Sequence, residues 1–155
     1  MPLTKASQKV QQYLDQFGLD LTIKEFSAST RTAQDAANAV GCEVGQIVKS
    51  LVFRSGQLPL LFLVSGNNRL DAVKVSQALQ IPLEKADADF VRQTSGYAIG
   101  GVPPVAHAEK MEVFIDRDLM AYDLVWAAAG TPHAVFSLKS SDLPRITGGK
   151  VIAVQ

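Results

Sequence analysis

Cysteine is almost missing from this 155-residue chain: Cys42 is the only one. That excludes an intrachain disulfide and a zinc site built on several thiolates of one chain. Histidine is scarce as well, with only His107 and His133, in separate segments. Without clear partners the two make no metal site, so neither metal nor cofactor is expected. Charge of either sign is not in excess, because fifteen Lys and Arg balance fifteen Asp and Glu. This argues against a broad basic face that grips nucleic acid along its backbone, so any RNA contact is expected to be local. No apolar run approaches the roughly 20 residues that a membrane-spanning helix needs; the longest is residues 58–64. The first residues, Met1-Pro2-Leu3-Thr4-Lys5, lack the apolar core of a signal peptide. A soluble, cytoplasmic protein is the expectation. G-x-S-x-G, H-E-x-x-H and phosphate-loop motifs are also absent.

What is present is a globular composition, 47% hydrophobic and 19% charged, of a length that suits one domain over residues 1–155. Val10, Tyr13, Leu14 and Phe17 recur at helical spacing before Gly18, which predicts a helix over 5–17. Thr32 and Asp35 have the spacing of a capping box ahead of an apolar stripe that Gly41 ends. Residues 47–54 and 58–65 read as the arms of a hairpin around Ser55-Gly56-Gln57. Further helices are expected over 71–79, with Asp71 as N-cap, and over 87–95, closed by Gly96. Strands are expected at 21–26, 111–115, 124–129, 134–138 and 151–154, and a short helix or turn at 140–146. Helices interleaved with hairpin-connected strands predict an α+β domain: a mixed, largely antiparallel, barrel-like sheet surrounded by helices.

Three features could carry chemistry. Alternation along 47–53 puts Lys49 on one strand face with Ile47, Leu51 and Phe53. An edge-strand lysine that reaches solvent is one reading. A cation at a pocket floor, aimed at a phosphate or a developing oxyanion, is the other. The second feature is Gly100-Gly101-Val102-Pro103-Pro104. Its glycines allow backbone amides to approach a ligand, and its prolines stiffen the exit; a plain turn has the same composition. The third is the turn Gly130-Thr131-Pro132-His133, where His133 could hold a substrate group, orient a water or be an incidental turn residue. His107 is a weaker histidine. Cys42, after a helix end, reads as inert, and Glu84, Asp87 and Asp89 as a solvated helix start.

Residues 32–37, 47–53, 63–71, 94–104 and 128–133, taken in order, resemble the YbaK and prolyl-tRNA-synthetase-associated editing-domain family. The resemblance spans about residues 26–150. It implies hydrolysis of the ester between a wrong amino acid and the 3′ adenosine of tRNA by a free-standing, trans-acting protein. It implies Lys49 as the key side chain. It maps the family's G-x-x-x-P loop onto Gly100, Gly101, Val102, Pro103 and Pro104, with an amide such as that of Gly101 near the scissile carbonyl, and the family's histidine onto His133. Ser50 stands where some relatives have Asn, so the amino acid stays open among Ala, Ser, Cys and Thr. Phe26, Ser27 and Thr30 are expected to line the amino-acid pocket with the glycine-proline loop. The expected partner is mischarged tRNA at its acceptor end. A binding module of the same fold that grips a tRNA end or a nucleotide without hydrolysis is the alternative.

Overall fold

The computed structural model describes residues 3–19, 21–27 and 32–155. The elements follow in the order α1 (Lys5–Asp15), β1 (Ile23–Glu25), α2 (Ala33–Val40), β2 (Ile47–Ser55), β3 (Leu58–Ser65), α3 (Ala72–Leu79), β4 (Glu84–Lys85), α4 (Ala88–Ser95), β5 (Glu112–Asp116), β6 (Leu124–Ala128), β7 (Ala134–Lys139), α5 (Asp142–Thr147) and β8 (Lys150–Ile152). Two single 3-10 turns, Val44–Gln46 and Arg117–Ala121, connect them.

Local chemistry places the helix ends where the sequence suggests. Side-chain oxygens of Thr32, Asp71 and Asp87 accept the amide protons of Asp35, Lys74 and Phe90. Each satisfies a first-turn donor that the helix leaves without a partner. Gly41, Gly96 and Gly148 close α2, α4 and α5 in the left-handed conformation.

All eight strands form one sheet, in the order β1-β7-β6-β2-β3-β5-β8, with β4 attached to β2. Its class is α+β with a mixed sheet, as expected. The sheet is open, since the path runs from β1 to β8 without rejoining among the described residues. Antiparallel pairings join β1 to β7, β2 to β3 and β4, and β6 to β7. Parallel pairings join β2 to β6, β3 to β5 and β5 to β8. Hairpins announce themselves through local turns, whereas these parallel contacts join strands far apart in sequence.

Alternation along the strands sorts the core into two layers. Val48, Val52, Leu61, Leu63, Val113, Ile115, Val125 and Phe136 share one face with Val10 and Leu14 of α1, Phe90 and Val91 of α4, and Leu143 and Ile146 of α5. The other face carries two separate clusters. Phe53, Phe62 and Phe114 pack with Val75 of α3, and Ile47, Trp126 and Val135 pack with Ala36 and Ala37 of α2. Lys49 lies between them, with Ile47 in one and Leu51 against the other.

Candidate active site

The site begins with a break in the sheet. On the side away from β3, strand β2 pairs with β6 only at Ile47 and Val48. It pairs with β4 only at Phe53 and Arg54. Residues 49–52 have no strand partner on that side among the described residues. A cleft opens along this bare edge in two contiguous lobes, and Lys49, Ser50, Leu51, Ile99 and Val102 line both. One lobe, of about 440 Å³, lies beneath α2 and is walled by Ala33, Ala36, Trp126, Ala127 and Val135. The other, of about 530 Å³, reaches Arg69, Lys85, Ala86 and Val91.

Lys49 is the cation at the junction. It does not run freely to solvent: its Nζ donates to the carbonyl oxygen of Asn68. An ammonium has three donors, so two are left for the cleft. Burial pushes its pKa below the usual lysine range, the Arg69 guanidinium lowers it further, and the Asp116 carboxylate opposes both. Asn68 is itself fixed. Its Nδ2 donates to Asp116 Oδ2 at 2.8 Å and to Asp118 Oδ2 at 2.7 Å, and its Oδ1 accepts from Gln155 Nε2 at 3.2 Å. Asp116 is 1% exposed and also accepts the amide protons of Ser65 and Asp118. A buried carboxylate so supplied with donors makes a stiff support. The ammonium thus hangs from a rigid base rather than from a flexible loop.

Ser50 contributes the unexplained group of the site. Its Oγ is buried and has no hydrogen-bond partner among the described residues. Such an orphan is costly unless a ligand or water completes it. Gly100 faces the cleft with Val102, and the N–H groups of these two residues have no partner among the described residues. Gly101 is placed differently from a pocket wall. Its N–H donates to the Ala98 carbonyl at 3.0 Å, and its own carbonyl accepts from Gly130 N at 2.9 Å. A Cβ at Gly101 would come within 2.8 Å of Thr131 Cα. Gly101 therefore lets two loops touch, and the amides open to a ligand are those flanking it.

Pro103 and Pro104 are buried behind the loop. The Pro103 carbonyl lies 2.7 Å from His107 Nε2, and burial lowers the His107 pKa. Pro104 lines a separate cavity with His107 and Met111. His133 is exposed and is absent from the residues lining either lobe. Its backbone ties the turn to β1, with Phe26 N donating to His133 O at 2.7 Å. Phe26 packs on the Trp126 and Val135 cluster beside the α2 lobe. Ser27 is exposed, and Thr30 lies outside the described residues. The structure thus brings Lys49, Ser50, Gly100 and Val102 together at one cleft. It sets Gly101, Pro103 and Pro104 behind the wall, and His133 on the exposed turn, lining neither lobe.

Comparison with known proteins decides the family. The family model described as the aminoacyl-tRNA editing domain matches residues 27–146. The chain belongs to the aminoacyl-tRNA editing domain family. This editing domain is similar to a crystal structure described as that of a candidate trans-editing enzyme for prolyl-tRNA synthetase. The two share 46% identity and a TM-score of 0.94 over 99% of both chains. It is also similar to the uncharacterised protein YwhH of Bacillus subtilis (strain 168), at 28% identity over 93% of this chain and 92% of that one. The proline–tRNA ligase of Streptococcus sanguinis (strain SK36) is 31% identical over 101 residues, which cover 64% of this chain and 16% of the ligase.

Sequence reasoning passed over Asn68, Asp116, Arg69 and Trp126. A faint signal existed for Asp116, a carboxylate directly after the apolar run Val113-Phe114-Ile115. Nothing local could say that it faces Asn68, since 48 residues separate the two.

Proposed function

We propose that this editing domain is a trans-acting deacylase that hydrolyses the ester of tRNA mischarged with a small amino acid. The observation that carries the reading is the bare edge of β2, where a firmly held ammonium stands beside a buried hydroxyl that has no partner among the described residues. The Lys49 ammonium meets the ester carbonyl oxygen and stabilises the negative charge that grows there. The amides of Gly100 and Val102, without a partner among the described residues, add donors at the cleft. Water adds to the carbonyl carbon, the bond to the ribose oxygen breaks, and that oxygen leaves with a proton, giving the free amino acid and uncharged tRNA. An aminoacyl ester is activated enough for positioning and charge stabilisation to replace a covalent nucleophile. The Ser50 hydroxyl completes its hydrogen bonding on the substrate or on the attacking water.

The apolar walls of the α2 lobe suit the side chain of a small uncharged residue such as Ala, Ser, Cys or Thr. A second hydrolytic pocket is what proofreading needs, because a missing methylene changes synthetase selection by only about 1–3 kcal/mol. His133 and Phe26, joined by a backbone hydrogen bond, stand at the turn and β1, on the approach to that lobe. A cytoplasmic setting, where translation meets its tRNA, goes with this reading. The test is incubation with tRNA charged in turn with Ala, Ser, Cys, Thr and Pro. Release of at least one small amino acid with Pro-tRNA spared is the expected result; inertness towards all of them contradicts the reading.

A further inference from the structure

The two lobes of the cleft differ in charge, and that difference gives the cleft a direction. Beyond the shared Lys49, the described residues that wall the α2 lobe include no charged side chain. The other lobe adds Arg69 and Lys85, and no carboxylate lines it among the described residues. Both added cations are exposed, so they stand at the rim. Neither takes part in an ion pair among the described residues. Their backbones are held: Lys85 by the β4 pairing with Phe53, and Arg69 by the hydrogen bond that its backbone N–H donates to Gln155 Oε1 at 3.1 Å. Leu51, Ala86, Val91 and Val102 give the lobe an apolar floor. Ile99, 61% exposed, stands where the two lobes meet. Cations above apolar walls match a molecule with a phosphate on one end and a flat, weakly polar ring on the other.

We propose that this lobe seats the terminal 5′-phosphorylated nucleotide of the RNA, with its phosphate on Arg69 and Lys85 and its base against Ile99 and the apolar floor. The ester then lies over Lys49, and the aminoacyl group points into the α2 lobe. The inference deepens the deacylase reading and rests on it for the identity of the ligand. The reverse placement sets a phosphate among Ala36, Trp126 and Val135, where the described residues add no counter-charge against its desolvation.

The experiment compares 5′-AMP with adenosine on the full chain, followed residue by residue by NMR. AMP is expected to perturb Leu51, Lys85, Ala86 and Val91, and to bind about five- to tenfold more tightly than adenosine, the scale of two solvent-exposed ionic contacts. The Arg69→Ala/Lys85→Ala double variant, checked for an unchanged melting profile, should erase that preference. It should also raise KM for a charged acceptor-stem minihelix by a similar factor, with most of the loss in KM rather than kcat. Equal binding of AMP and adenosine, or perturbation confined to Ala33, Ala36 and Trp126, overturns the placement even where deacylation is seen. If AMP binds as expected while no charged minihelix is hydrolysed, the nucleotide seat stands and the deacylase reading falls.

Discussion

At the scale of single residues, Lys49 joins three features: burial that pushes its pKa down, one hydrogen bond to Asn68, and a place on a strand edge unpaired among the described residues. If its ammonium meets the ester, kcat is full where the lysine is protonated and falls as pH rises through its pKa. Burial, then Arg69, set that pKa below the ordinary lysine value, with Asp116 opposing. The alkaline limb of kcat, after subtraction of spontaneous ester hydrolysis, should therefore come earlier than for an ordinary lysine. Arg69→Ala should move it to higher pH; a limb that stays in place speaks against Lys49 as the group that titrates. Asn68→Ala removes two hydrogen bonds to carboxylates and should destabilise the fold by about 2–3 kcal/mol, measured by urea unfolding, with a further loss of kcat among the molecules still folded. The anomaly of Lys49 was legible in the strand alternation, because the pattern 47–53 leaves one charge on an apolar face. Its support was not, because Asn68 and Asp116 meet only in three dimensions.

Among the elements, β2 decides the site. Its hairpin with β3 could be read from the turn and the apolar arms, and the capped helices from Thr32, Asp71 and Asp87. The two-residue parallel contact with β6 and the two-residue strand β4 could not be read. Glu84 had looked like part of a solvated helix start, yet it pairs with Arg54 across the strands. Short nonlocal pairings carry no periodic signal of their own, and here they define the ends of the cleft. The glycine-proline loop was visible as a loop, but its internal division was not. Gly101 touches the Gly130-Thr131 turn, while Gly100 and Val102 face the cleft. Gly101→Val should thus lower thermal stability clearly, because the added Cβ meets backbone rather than a side chain that can move. Stability unchanged alongside lost activity would instead place Gly101 at the substrate. Thr32→Ala, which removes the α2 cap, should cost about 1 kcal/mol, seen as a lower urea midpoint with an unchanged slope.

For the molecule as a whole, the balance of fifteen basic and fifteen acidic residues limits how much RNA the domain can hold by charge. The cations of the cleft are few and local, so binding should show a shallow salt dependence, with a log–log slope of about −0.7 for each phosphate neutralised on a single strand. An acceptor-stem minihelix should then serve nearly as well as full tRNA, and a steep slope or a need for the anticodon arm would point to contacts elsewhere on the surface. The proposed deacylase reading makes one central claim: an aminoacyl ester is hydrolysed in the cleft at the bare edge of β2. The most direct measurement is single-turnover deacylation of Ala-, Ser-, Cys- and Thr-charged minihelices by the native protein and by Lys49→Ala, with circular dichroism showing both folded. Loss of the ammonium from the reacting carbonyl should slow hydrolysis of the preferred substrate by about a hundredfold or more. A folded Lys49→Ala protein that deacylates at the native rate would contradict the claim.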